Sequence, residues 1–134
     1  MKKLITILIL ILYATLVMAQ DKYLEVEWTK EASKESIAQG GDDYYGLIVK
    51  QANEDWKGNH EMFDFVINRQ CEAFYKFVNM EKAPGMPKNA FEDMKVIAIG
   101  KWTERDSVGK LIGADWIRVL QVYKNQMEAY SKTF

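Results

Sequence analysis

Apolar side chains recur every three or four positions along most of the chain beyond residue 20, which is the spacing of helices that bury one face. The clearest stretch follows Asn59, where apolar positions mark four helical turns and only Gln70 interrupts them. Strong turn signals lie at helix-length intervals, and hairpin signals such as Asn-Gly are absent. The pattern predicts five helical segments, at residues 22–39, 43–57, 60–82 and 90–105 and from 106 or 107 onward.

Residues that commonly stop or cap helices separate the first three segments. The pair Gly40-Gly41 ends the first segment, since glycine readily adopts the left-handed conformation that follows a helix. Asp42 or Asp43 is predicted to cap the second segment, and Asn59 the third, because short polar side chains accept hydrogen bonds from the first free N–H groups.

The strongest break in the chain is the stretch 84–87, which contains both prolines of the protein. It is too short to be a flexible linker, so we interpret it as a corner between the third and fourth helices. Asn89 is predicted to cap the fourth helix, and Asp106 or Ser107 to begin the last.

These elements predict a single domain at residues 20–134, an all-α compact bundle of four to five helices. Two local alternatives stay open. The start of the first segment also fits a strand, because Leu24, Val26 and Trp28 alternate with polar residues. Weak alternation over 117–123 keeps an α+β fold open, with a short sheet in the C-terminal third.

The first residues have the layout of a cleaved secretory signal peptide at residues 1–19. Lys2 and Lys3 precede an apolar run at 4–17, and the small residue Ala19 suits a cleavage site. As a helix the run spans about 21 Å, which is short of the ~30 Å hydrocarbon core of a bilayer. We therefore predict a periplasmic or secreted protein that contacts membranes only if the leader stays uncleaved.

Composition excludes several classes of protein. Hydrophobic residues make up 49% of the chain and charged residues 28%, which argues against intrinsic disorder. There are 18 Lys and Arg against 19 Asp and Glu, so loss of Lys2 and Lys3 leaves about three net negative charges. Nucleic-acid binders usually need a basic surface, so no nucleic-acid partner is expected.

Cys71 is the only cysteine, so the domain has no internal disulfide. One interpretation makes Cys71 a small buried residue beside Phe74 and Phe77. The other makes it an exposed thiol that forms an intermolecular disulfide and so a homodimer, as an unpaired cysteine in a secreted protein can.

His60 is the only histidine and therefore the centre of any predicted metal site. His60 and Asp64 are four residues apart on one helical face, where they can chelate a divalent metal with Glu61 alongside. The more ordinary interpretation is that Asn59 and these acidic residues stabilise the positive end of the helix dipole. Cys71 lies eleven residues after His60, a rise of about 16 Å, so the two cannot form a catalytic dyad.

A haem site is a further hypothesis that rests on residue types alone. In a haem-binding bundle His60 would be one axial ligand and a methionine the other, although no C-x-x-C-H attachment motif occurs. The candidate methionines are Met62, Met80, Met86, Met94 and Met127.

Several aromatic residues exceed what a core of this size needs, and those on an exposed face would form an interaction surface. The candidates are Tyr44, Tyr45 and Trp56, with Tyr75 and Trp102 as further members.

The sequence therefore predicts an exported non-enzymatic binding or accessory protein without a cofactor, whose partner is an unknown protein or small ligand. The alternative is a metal- or haem-binding helical bundle, or an acid-based enzyme centred on His60 and Asp64.

Overall fold

The structure is a computed structural model that describes residues 21–133, and the predicted leader at residues 1–19 lies outside them. The described chain forms five α-helices and one antiparallel two-stranded sheet. In chain order the elements are α1 (Asp21–Ala38), α2 (Tyr44–Asp55), α3 (His60–Asn79), α4 (Lys88–Trp102), β1 (Thr103–Arg105), β2 (Leu111–Ala114) and α5 (Trp116–Thr133). The predicted helical bundle is confirmed, and the short sheet of the alternative interpretation is present as well.

Helix α3 lies at the centre of the bundle, where it packs against α1, α2 and α5, while α4 packs against α5. The apolar face of α3 is the predicted one, since Ile67, Phe74 and Phe77 are all buried. Buried side chains from all five helices and from β2 form one continuous core. None of the helices within residues 21–133 is both long and apolar enough to cross a membrane.

Two of the predicted helix caps are confirmed. The Asp43 carboxylate accepts a hydrogen bond from the backbone N–H of Gly46 at 2.9 Å, which starts α2. The Asn59 side chain accepts one from the N–H of Met62 at 3.1 Å, which starts α3. Both helices end two or three residues earlier than the apolar pattern predicts. Helix ends fray, so a sequence pattern locates them less well than it locates the helix itself.

The corner at residues 84–87 separates α3 from α4, as predicted. Gly85 takes a positive φ of 81° there, a conformation that favours glycine. The predicted cap at Asn89 is wrong, because α4 begins at Lys88 and Pro87 occupies the cap position without a side-chain hydrogen bond.

Helix α1 is helical throughout, so the strand interpretation of its start is wrong. Not all of its apolar residues lie on the buried face, because Leu24 is 44% exposed and Ile37 is 50% exposed. The buried face includes two hydroxyl residues, Thr29 and Ser33. Thr29 donates to a carbonyl of its own helix, and Ser33 accepts from α2, so both can be buried without loss of hydrogen bonds.

The C-terminal third contains the largest departure from the predicted helices. Helix α4 ends at Trp102 and not at Arg105, and the last helix begins at Trp116 and not at Asp106 or Ser107. A hairpin of β1 and β2 lies between them, with a bulge where the register shifts after Glu104.

Local hydrogen bonds explain why a hairpin forms where a helix start is predicted. The Asp106 carboxylate accepts from the backbone N–H groups of Val108 and Lys110, at 3.0 and 2.8 Å. Gly109 takes a φ of 84°, which completes the five-residue turn. The polar residue predicted to cap a helix therefore caps a turn, and 117–123 belongs to α5 and not to a strand.

Two glutamines fix the second strand and the start of α5 to the rest of the bundle. The Gln51 side chain on α2 donates to the carbonyl of Ala114 and accepts from its N–H, both at 2.9 Å. Gln70 on α3 accepts from the backbone N–H of Trp116 at 2.7 Å and donates to Asp115 at 3.2 Å. The polar residue that interrupts the α3 stripe thus positions Trp116 in the core.

Candidate ligand cavity

A cavity of about 240 Å³ opens where α1, α3, the end of α4 and the hairpin meet. Most of its walls are apolar, and five of its lining residues carry aromatic rings. The lining residues are Trp28, Ala32, Tyr44, Phe74, Phe77, Val78, Ile99, Thr103, Arg105, Leu111 and Trp116. Helices form one side of this cavity and the hairpin forms the other.

Burial divides the lining into a closed floor and an accessible rim. The floor consists of the buried side chains of Phe74, Phe77, Leu111 and Trp116. At the rim Val78 is 40% exposed, and other lining residues are partly exposed. A small molecule can therefore enter from solvent and reach an apolar interior, the arrangement typical of ligand sites.

The aromatic rings of the floor hold one another in fixed orientations. Phe74 lies 4.8 Å from Trp116 between ring centroids, at an interplanar angle of 69°. Tyr44 lies 4.8 Å from Phe74 on another side, and Phe77 lies 6.2 Å from Trp116. Such edge-to-face and tilted contacts are the arrangements that aromatic pairs prefer.

Trp116 has one polar atom that no described residue satisfies. Its side chain is only 3% exposed, and the indole Nε1 has no hydrogen-bond partner within residues 21–133. Its backbone N–H, in contrast, donates to Gln70. Because Nε1 is itself buried, this donor is covered by neighbouring atoms and is not open to the cavity that other parts of the residue line.

The charged group at the rim is already paired. The Arg105 guanidinium donates to both carboxylate oxygens of Asp42, at 3.2 and 3.1 Å, and to the carbonyl of Gly109 at 2.9 Å. The hydrogen bond to Asp42 raises the pKa of Arg105 above its already high ordinary value. Asp42 also accepts from the backbone N–H of Leu111 at 3.4 Å, so this residue joins the α1–α2 loop to the hairpin.

The predicted interaction surface is divided between different parts of the structure. Tyr44 lines the aromatic cavity. Tyr45 lines a separate groove of about 650 Å³ between α1, α2 and α3, where the Lys30 ammonium lies 5.3 Å from its ring. Trp56 follows α2, is 38% exposed and lines neither of these sites.

The predicted metal ligands lie on the surface. His60 and Asp64 are both exposed in the first turns of α3, and Asp64 shares the groove with Glu61 and Tyr45. Within residues 21–133 no group of three or more His, Cys, Asp or Glu side chains is close enough to hold a metal ion. A metal held by His60 and Asp64 alone stays a prediction.

The methionines predicted as haem ligands do not line the aromatic cavity. Met86 is buried, and the other four are partly buried: Met62 on α3, Met80 just after it, Met94 on α4 and Met127 on α5. A haem bound through His60 stays a prediction that no contact in the described residues supports or opposes.

Cys71 is completely buried, which agrees with the first of its two interpretations. Burial disfavours the thiolate and raises the pKa of Cys71 to about 11, against a smaller opposing contribution from the Thr29 side chain. A disulfide with a second chain would therefore require α3 to separate from its neighbours first.

Sequence reasoning missed most of the cavity, including Trp28, Arg105 and Trp116. One available signal was Asp115, whose carboxylate accepts from the N–H of Arg118 at 3.3 Å in the manner of a helix cap. Recognising that cap would have placed Trp116 at the first position of the last helix. No family model, curated protein or solved structure matches the chain, so the role of the cavity rests on its own chemistry.

Proposed function

We propose that the protein is an exported, non-enzymatic binding protein that holds a small apolar molecule in the aromatic cavity. The observation that carries the proposal is the cavity itself, with an apolar floor below a rim that solvent reaches. Apolar surface that would otherwise face water in the free protein is covered when a ligand binds, which favours association.

The size of the cavity limits the ligand to about one ring. Its volume of about 240 Å³ compares with ~150 Å³ for an engineered cavity that binds benzene in another protein. By proportion, a ligand of about ten non-hydrogen atoms fills the space. At ordinary ligand efficiencies such a molecule binds with a Kd of roughly 0.01 to 1 mM.

The binding part of the proposal is tested with toluene as the probe, followed by NMR titration. The unmodified protein is expected to bind toluene saturably, with a Kd of roughly 0.1 to 1 mM. Ala32→Leu places three more carbons at the cavity wall and is expected to weaken binding at least about ten-fold. Ala38→Leu is the matched control, because Ala38 is exposed at the end of the same helix.

A second variant tests the same point without altering the cavity floor. Val78→Trp enlarges a rim residue that is 40% exposed, so the fold should tolerate it while the mouth is obstructed. Absence of saturable toluene binding to the unmodified protein would contradict the proposal. Equal affinities for both cavity variants and the Ala38→Leu control would contradict it as well.

The export part rests on the leader at residues 1–19 and has its own test. The full chain is expressed in a bacterial host, and the protein recovered outside the cytoplasm is sequenced from its N-terminus. The expected first residue is Gln20. A chain that retains Met1 and stays in the membrane fraction would show instead that the leader is an anchor.

A further inference from the structure

One side of α4 carries apolar residues that the described part of the chain leaves uncovered. Val96 is 68% exposed and Ile97 is 47% exposed, at neighbouring positions in the middle of the helix. The opposite side of α4 packs against α5, where the rings of Phe91 and Tyr123 lie 5.9 Å apart and Ala98 is completely buried. A helix that is apolar on both sides is typical of one that is covered on both sides. The exposed pair therefore indicates a further surface that covers α4.

The uncovered side of α4 is a stripe of five residues, which we name the α4 stripe: Asp93, Val96, Ile97, Gly100 and Lys101. The last four follow Asp93 by three, four, seven and eight residues, a spacing that places side chains along one side of a helix. All five residues are exposed, and none of them lines the aromatic cavity. The α4 stripe is therefore independent of the proposed ligand site.

Gly100 leaves a gap in the side chains of the α4 stripe. A Cβ atom at this position would meet no other atom within 4 Å, and Gly100 does not take a positive φ. Neither the packing nor the backbone of a single chain therefore requires glycine here, although glycine inside a helix is less stable than alanine. A second surface that approaches the backbone of α4 closely would account for the missing side chain.

The charges of the α4 stripe are complementary to those of a second copy of the same stripe. Asp93 and Lys101 each lie four residues from Ile97, about 6 Å along the helix axis in opposite directions. When two such helices pair antiparallel about a two-fold axis at Ile97, Asp93 of each copy lies level with Lys101 of the other. A parallel pair would place each charge beside an identical one. Within the described residues neither Asp93 nor Lys101 forms an ion pair, so both are available.

We propose that the protein forms a non-covalent homodimer in which the α4 stripes of two copies pair antiparallel. Val96 and Ile97 of both copies form the apolar centre, and two ion pairs between Asp93 and Lys101 flank it. The same patch serves both copies, as in most two-fold symmetric dimers. The antiparallel direction also places opposite ends of the two helix dipoles together.

The size of the contact determines the expected strength of the dimer. Stable interfaces bury about 1,200 to 2,000 Å² in total, and one helix of 15 residues supplies only part of such an area. The dimer is therefore expected to be weak, with a Kd of roughly 0.01 to 0.5 mM. Sedimentation equilibrium of the unmodified protein, at concentrations from about 0.02 to about 1 mM, measures this Kd. Added salt should weaken the dimer, because it screens exposed ion pairs.

Charge reversal tests the pairing of Asp93 with Lys101. Asp93→Lys and Lys101→Asp should each weaken the dimer at least about ten-fold, because each replaces two attractive contacts with two repulsive ones. An equimolar mixture of the two variants should associate again, since each then meets the opposite charges. Asp55→Lys is the matched control, because it makes the same exchange at an exposed position on α2, and it should leave the Kd unchanged.

A third variant separates the dimer from the stability of the fold. Gly100→Gln adds a long uncharged side chain where no atom of the same chain lies within 4 Å. It should make a single chain slightly more stable in urea, because glutamine has the higher helix propensity. It should also weaken the dimer at least about ten-fold, because the side chain keeps the two helices apart. Loss of the dimer in this variant therefore cannot be attributed to unfolding.

Several outcomes would overturn the proposal. A protein that stays monomeric at 1 mM has no such dimer. A dimer that both charge reversals leave unchanged uses another surface, and a loss of equal size in Asp55→Lys would assign the effect to net charge alone. A dimer that becomes stronger in salt has like charges facing each other, which contradicts the antiparallel arrangement.

Discussion

The helical core and the hairpin are held in place by different kinds of interaction. The core around α3 is held by apolar packing, with Phe74 in ring contact with Trp28, Tyr44 and Trp116. The hairpin has strands of three and four residues and contributes only two buried residues, Leu111 and Ala114, to that core. It is attached to the helices by side-chain hydrogen bonds from Asp42 and Gln51.

This difference determines how each region tolerates change. Apolar packing is non-directional, so the stability lost when a side chain is truncated depends on the volume removed. Hydrogen bonds depend on individual donor and acceptor atoms, so loss of one amide can leave a buried backbone group unpaired. The cavity lies between the two regions, with its floor in the core and Thr103 and Arg105 of the hairpin on its rim.

The largest expected effect is removal of a core ring. Phe74→Ala removes a side chain that is 3% exposed and is expected to lower the free energy of unfolding by about 3 to 5 kcal/mol. Phe65→Ala on the same helix is the control, because Phe65 is 56% exposed, and it should cost about 0.5 kcal/mol or less. Urea unfolding measures both. Equal losses would show that the core does not depend on Phe74.

Alkaline pH is expected to weaken the core through its buried titratable groups. Burial raises the pKa of Cys71 from 9.0 to about 11 and that of Tyr123 from 10.0 to about 12. The native state therefore keeps protons that the unfolded chain has already released between these values. Stability is unaffected by either group below pH 9 and falls as the pH rises from 9 to 12, by about 2 to 3 kcal/mol for each group.

Variants assign this pH dependence to its two sources. Cys71→Ala should remove the decline between pH 9 and 11, and Tyr123→Phe the decline between pH 10 and 12. Tyr123→Phe should cost little at neutral pH, because its buried hydroxyl has no partner in the described chain. The slope of unfolding free energy against pH is the measurement. An unchanged slope in both variants would contradict the assignment.

The same contrast explains what could be predicted from the sequence. The α3 face was predictable because Phe74 and Phe77 recur at helical spacing, and the Asn59 cap because it acts within its own helix. The bond from Trp116 to Gln70 joins residues 46 apart, so no local pattern indicates it. A short sheet in this third was kept open, but its position was missed because Asp106 favours a turn and a helix start equally until its partners are known.

Loss of a glutamine anchor is expected to have an intermediate effect on the hairpin region. Gln51→Ala leaves the backbone groups of Ala114 unpaired, and Gln70→Ala leaves the N–H of Trp116 unpaired. Each should cost about 1 to 3 kcal/mol in unfolding free energy. Gln121→Ala is the matched control, since this exposed residue donates to the exposed side chain of Asn125, and a similar cost there would show that the loss is not specific to the anchors.

The smallest expected effect is at the ion pair between hairpin and loop. Asp42→Asn should cost about 1 kcal/mol or less, because the Arg105 side chain is 45% exposed and water screens the pair. Thermal unfolding with and without 1 M salt measures this loss of stability. The difference in stability between Asp42→Asn and the unmodified protein should shrink in salt. Glu31→Gln, in a pair where both side chains are about 70% exposed, should have no measurable effect. A loss that stays the same in salt would contradict the assignment of the effect to the ion pair.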